Sequence, residues 1–229
     1  MKYLVVFFLM CVSINAQHVD HSKWTSFLQQ YVSEDGKVNY KAISENTSDL
    51  NVYLNEFIKI HPKDTWTENE ILAYWINAYN TFTIKLIIDN YPVKSINAIE
   101  QPWDKKFIPF NGKLMTLNEI EHEILRKMNE PRIHFAINCA SVSCPKLLNE
   151  AFIPEKLDEQ LDRAATAFIN SKKNQITPGN IKISKIFKWF SEDFETDGSV
   201  IDFINQYAKT KVNKNEKIGY LDYNWNLNE

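Results

Sequence analysis

Glycine is scarce in this sequence, five in 229 residues, and prolines number eight. That leaves little room for the Gly- or Pro-rich composition of disordered chains, and no internal repeat or low-complexity tract is present. An excess of base is also missing: 26 Lys and Arg stand against 29 Asp and Glu, without basic clusters. The mildly acidic balance argues against nucleic acid or an anionic membrane as the main partner. Cysteine is rare too, three in all, and the only long apolar run lies at the very start.

That run, Tyr3 to Val12, follows Lys2 and precedes Ser13-Ile14-Asn15-Ala16-Gln17. A basic start, a short apolar core and a small residue before a cut are the features of a signal peptide over residues 1–16, cleaved after Ala16. The run falls short of the roughly 20 apolar residues that a membrane span needs. A lipid anchor on Cys11 would want a small residue where Met10 stands. The expected product is one exported domain, residues 17–229, with no membrane span once the leader is gone. Its formal charge is 25 − 29 = −4, because Lys2 leaves with the leader. Only Cys139 and Cys144 remain in it, so at most one bridge forms and a large core must stabilise the fold.

Helical spacing is plain at Trp24, Phe27, Leu28 and Tyr31, and again from Leu50 to Ile58. Thr67-Glu68-Asn69-Glu70 is a capping box opening a helix to about Asn90, whose apolar residues go nearly all the way round. Such a helix is central and buried. Asn111-Gly112 between Lys106–Phe110 and Lys113–Met115 signals a hairpin. A second capping box, Thr116 to Glu119, predicts a helix through about Met128. Ile133 to Cys139 reads as a strand. Pro154 opens a further helix with its stripe at Leu157, Leu161, Ala164, Ala165, Phe168 and Ile169. Ile181 to Ile183 alternates like a strand, Ile186–Phe194 and Val200–Tyr207 read as closing helices, and Lys217–Tyr223 as a last strand. The expected class is helix-rich α+β, one domain with a central buried helix and a small, mainly antiparallel sheet.

Two places could carry chemistry. Asn77, Asn80 and Thr81 share one side of the central helix. Their amides either bond a neighbouring loop or wall a polar pocket, since an unpaired buried amide costs roughly 2 kcal/mol or more. The second place is Arg132 to Pro145. Strand alternation puts Ile133, Phe135, Ile137 and Cys139 on an apolar face, and His134, Ala136 and Asn138 on a polar one. Cys144 follows in a turn with Ser141 and Ser143 that could curl back toward His134. This makes Cys144 the candidate nucleophile, His134 its base and Asn77 or Asn80 the polar support, with Asn138, Cys139, Ser141, Ser143 and Arg132 around them. The competing reading is a Cys139–Cys144 disulfide beside a histidine satisfied by backbone. His122 and Glu121, on a helix that reads as a solvated acidic face, are outside candidates for the site. A metal set of His122, His134, Cys139 and Cys144 lacks any common zinc spacing, so neither metal nor cofactor is expected. The function expected is a thiol-dependent hydrolase or acyl-transferase. The alternative is a non-catalytic module using the same pocket for a small molecule, peptide or glycan.

Trp75-Ile76-Asn77-Ala78-Tyr79-Asn80, Leu117 to Arg126, and Pro131 to Pro145 together resemble the DUF547 family, the domain of unknown function 547. Ile183 to Phe190 with Asp193-Phe194 resembles that family's last signature, so the likeness covers about residues 65–195. The resemblance implies no particular reaction. It implies a shared site around both cysteines, since the family's pattern keeps them even in intracellular members. Plant members carry leucine-zipper segments and are thought of as interaction proteins, whereas this chain has no heptad run. The order of helix, histidine strand and cysteine also resembles papain-like and transglutaminase-like folds. There the nucleophile opens the central helix, where this chain has Asn77 and no cysteine.

Overall fold

A computed structural model describes residues 18–229, so the leader expected over residues 1–16 lies outside the described residues. Four helices build the first half: α1 His21–Tyr31, α2 Tyr40–Glu45, α3 Ser48–Lys59 and α4 Glu68–Asp89. The capping box at the start of α4 is formed, with Thr67 accepting from the Glu70 N–H and Glu70 accepting from the Thr67 N–H. Every residue from Leu72 to Ile84 is buried, so α4 is the central helix its composition predicts. The sequence reads Val38-Asn39-Tyr40 as a brief extended piece; only Val38 bridges, to Val32, and Tyr40 opens the short α2, which Asn39 caps by accepting from the Ala42 N–H.

Strands β1 Ile108–Phe110 and β2 Lys113–Met115 form the expected hairpin. Asn111 and Gly112 both have positive φ, 47° and 74°, as a tight hairpin turn requires. A second sheet holds β3 Gln175–Thr177, β4 Asn180–Ile183 and β5 Ile218–Tyr220; β3 and β4 are antiparallel, β4 and β5 parallel. Helices α5 Leu157–Ile169, α6 Ile186–Trp189, α7 Ser191–Phe194 and α8 Val200–Tyr207 complete the chain. The class is thus helix-rich α+β, with two small sheets rather than one. Among the described residues, no helix is long and apolar enough to cross a membrane.

Three local expectations are corrected. Residues 133–139 are not a strand. Pro131–Phe135 is a 3-10 turn, with proline in its first turn and Glu130 accepting from the Arg132 N–H. Ile133, His134 and Phe135 are consequently all buried, and the two-faced alternation does not apply. The helix after Thr116 is wound wide as a π-helix over Glu119–Ile124, then tight over Leu125–Met128. The closing helix expected over 186–194 breaks at Phe190 into α6 and α7, which turns Phe190 and Phe194 toward His134.

The apolar side chains form two clusters. One gathers α1, α3 and α4 with Ile133, Ala136 and Ile137; the other gathers β4, α8 and the end of α5 with Phe135. Segment 131–137 and helix α5 each contribute to both. The Arg132–Pro145 region therefore lies at the seam between the two clusters.

Candidate functional site

Beside that seam is a cavity of about 240 Å³. Its walls include Trp103, Trp189, Phe190, Tyr223 and Trp225, with Glu121, His122 and His134 and the sulfur residues Cys139 and Cys144. The aromatic side is one packed group: Tyr223 and Trp225 have ring centroids 4.6 Å apart, and Trp189 and Tyr223 4.8 Å.

Glu121 comes from the π-helical turn. It is buried and accepts one hydrogen bond, from the Tyr79 hydroxyl of α4 at 2.9 Å. Burial raises its carboxyl to about 7, against the opposing Tyr79 bond and the more distant Arg126 charge. Among the described residues Glu121 is in no ion pair, because the Arg126 guanidinium is bound twice by Asp193, at 2.7 Å each. Arg126 also lies 3.0 Å from His122 Nδ1 and 5.4 Å from the Phe190 ring centre. Burial lowers the His122 ring below its usual value, and the Arg126 charge adds to that.

His134 is buried and stacks on Phe190 with centroids 4.0 Å apart. Its Nε2–H donates to Asp193 Oδ2 at 2.7 Å. Burial lowers the ring's pKa and outweighs the carboxylate beside it, which favours the neutral ring. Burial pushes Asp193 up, yet the bonds from His134 and Arg126 hold it well below the usual carboxylate range. Asp193 has no chemical signal in the sequence beyond its place in the last family signature. Tyr79 and the tryptophans were likewise read as core or left unassigned.

Cys139 and Cys144 are joined in a disulfide. The expectation of a free Cys144 thiolate facing His134 is therefore not met in this state. The assignment of Cys139 to core and Cys144 to the open side is also reversed: Cys144 is 3% exposed, whereas Cys139 is only partly buried. Cys144 Sγ instead accepts from the Cys139 N–H at 3.0 Å and from the Tyr223 hydroxyl at 3.3 Å.

The remaining candidates are structural or lie elsewhere. Asn77 donates to Phe152 O at 2.7 Å and accepts from Phe152 N–H at 3.0 Å, so it holds a loop and does not join His134. Asn80 clamps the site segment itself, donating to Ala136 O and accepting from the Asn138 N–H. Asn138 donates to Pro145 O and accepts from the Ala140 N–H, closing the loop that carries the bridge. Ser143 accepts from Asn224 N–H, while Ser141 Oγ lies 3.3 Å from Tyr223 Oη and 3.4 Å from Cys139 Sγ. Arg132 is turned away, paired with Glu130, Asp158 and Asp162. No group of three or more metal-ligating side chains is assembled among the described residues.

Fold and site together define a helix-rich α+β domain with an aromatic pocket that holds a buried carboxyl, a His–Asp–Arg group and a disulfide. Residues 63–169 match the family model described as "Protein of unknown function, DUF547", which supports the resemblance to that family over this segment. The segment supplies α4, the hairpin, Glu121, His134 and both cysteines; Asp193 and four of the pocket aromatics, Trp189, Phe190, Tyr223 and Trp225, come from beyond it. Neither the curated proteins nor the solved structures compared with the chain gave a match.

Proposed function

We propose that this chain is an exported ligand-binding module whose pocket takes a small organic cation. The observation that carries this reading is the Glu121 carboxyl. It is buried among aromatic side chains with one hydroxyl donor and no positive partner among the described residues. A carboxylate that lacks a counter-ion, set against Trp and Tyr rings, suits an ammonium or quaternary nitrogen: the charge meets Glu121 and the ring faces attract it further. The cavity of about 240 Å³ suits one small molecule, a little below the usual range for drug-sized ligands. Export is supported by the leader features of residues 1–16 and by the Cys139–Cys144 bridge, which persists in oxidising compartments.

Titration of the pocket tryptophans' fluorescence with a panel of quaternary and tertiary amines, neutral sugars and aromatic acids tests it. Saturable quenching by amines alone is expected, weakened in Glu121→Gln. Quenching only by sugars or acids, or none by any member, contradicts it. A thiol-dependent hydrolase is the second reading, favoured by one fact: His134, Cys139 and Cys144 line one pocket. It needs the bridge open and an acyl substrate that labels Cys144 after reduction.

A further inference from the structure

The bridge stands at the pocket, yet the loop it closes is held without it. Asn138 ties the loop's two ends, as described above. Val142 N–H donates to Asn226 O, Ser143 N–H to Asn224 O, and Asn228 N–H to Ala140 O. A disulfide that closes so short a loop, already fixed by backbone hydrogen bonds, adds little to the fold. Its two sulfurs also differ in a way that a plain staple does not need. Cys139 is only partly buried, whereas Cys144 is buried and accepts from its partner's N–H; the Tyr223 hydroxyl lies 3.3 Å from both sulfurs and can follow the charge to Cys144.

We propose that Cys139–Cys144 is a thiol-exchanging disulfide that reacts with small apolar or aromatic thiols entering the pocket. The incoming thiolate attacks Cys139 Sγ, forming a new S–S bond as the Cys139–Cys144 bond breaks. The electron pair of the broken bond leaves on Cys144 Sγ as a thiolate. A second thiolate attacks the ligand sulfur of the mixed disulfide, so the ligand departs as its own disulfide and Cys139 is left as a thiolate. Two thiols are thereby oxidised and one protein disulfide reduced; the reverse sequence reoxidises the protein with a small organic disulfide.

Access decides which sulfur is attacked, and the stability of the departing thiolate decides how fast it leaves. Both point the same way here. A thiolate accepts hydrogen bonds better than a disulfide sulfur does, so the Cys139 N–H and the Tyr223 O–H strengthen as charge develops on Cys144. Burial pushes the Tyr223 hydroxyl up to about 12, which keeps it a donor. Lys173 donates to the Cys144 carbonyl, and although burial lowers its pKa to about 8, its charge adds to the positive surroundings of Cys144 at pH 7. The backbone bonds around the loop keep the two thiols adjacent after opening, ready to close again.

The thiol class rests on the pocket's aromatic walls, apart from the charge assigned to Glu121; the exchange itself does not rest on them. The native oxidised chain is treated with benzyl mercaptan or 2-mercaptoethanol, acid-quenched, and its adducts are mapped by mass spectrometry. The expected result is a mixed disulfide on Cys139, formed about tenfold faster with benzyl mercaptan and slowed about tenfold in Tyr223→Phe. An adduct on Cys144, or reduction only after unfolding in urea, overturns the proposal. A Cys139 adduct and a Tyr223 effect without the aromatic preference would uphold the exchange and overturn the preference for aromatic thiols alone. Should Tyr223→Phe fail to fold, the adduct position in the unaltered chain still decides the matter.

Discussion

Two ionisable side chains set opposite pH limits on this protein. His21 accepts at Nδ1 from Tyr53 and from the Asn77 amide, and burial lowers its pKa to about 4. Because the folded value lies below the unfolded one near 6.5, this contribution is present above pH 6.5 and lost as pH falls toward 4. Urea midpoints at pH 7, 5 and 4 should fall by the equivalent of up to ~3 kcal/mol, and His21→Gln should flatten part of that decline. His134, its pKa lowered by burial as well, acts in the same direction. Glu121 behaves oppositely. Its folded value of about 7 lies above the unfolded one, so its contribution is complete below about pH 4.5 and lost as pH rises through 7. Glu121→Gln should keep the bond to Tyr79 and be the more stable form at pH 8, by up to ~3 kcal/mol in denaturant melts. None of this was legible from the sequence, where Glu121 stands among acidic neighbours and reads as a solvated face. The π-helical turn is what buries it.

Among the elements, those with local signals were readable. The Thr67–Glu70 capping box, the Asn111-Gly112 turn and the alternation of Ile181 and Ile183 each act within a few residues, and each formed as expected. The Arg132–Pro145 segment was located but given the wrong geometry. Its Ile133, Phe135 and Ile137 mimic a strand, whereas the conformation is fixed from a distance by Asn80, Asp193 and the C-terminal residues 224–228. The asparagines of α4 accordingly separate by effect. Asn80→Ala leaves a buried carbonyl and a buried N–H without partners, and should cost about 2–4 kcal/mol and also weaken ligand binding. Asn77→Ala should cost a similar amount at Phe152 while leaving the affinity of folded protein within about twofold. Chemical melts and fluorescence titrations on the two variants check the difference.

At the scale of the whole molecule, the pocket draws on stretches far apart in the chain: Tyr79, Trp103, Glu121, His134, Trp189 and Tyr223. No spacing rule joins them, which is why sequence reasoning found the histidine and cysteines but not the aromatic wall. Segment 131–137 and α5 are shared by both apolar clusters, so the described residues should unfold together. Tryptophan fluorescence and far-UV circular dichroism should give coincident urea transitions, and two separated transitions would show that the clusters are independent. The pocket reading itself depends on Glu121 as the site of positive charge. Calorimetric affinity for a quaternary ammonium ligand, whose charge does not vary, should be measured from pH 6.5 to 8.5 in the unaltered chain and in Glu121→Gln. Burial holds His122 and His134 below their usual value, so they titrate at lower pH than Glu121, and Arg126 and Asp193 keep their charges. Affinity should rise with pH through about 7 in the unaltered chain and stay flat in the variant. Equal and parallel curves for the two proteins would contradict the assignment of Glu121 as the ligand's counter-ion.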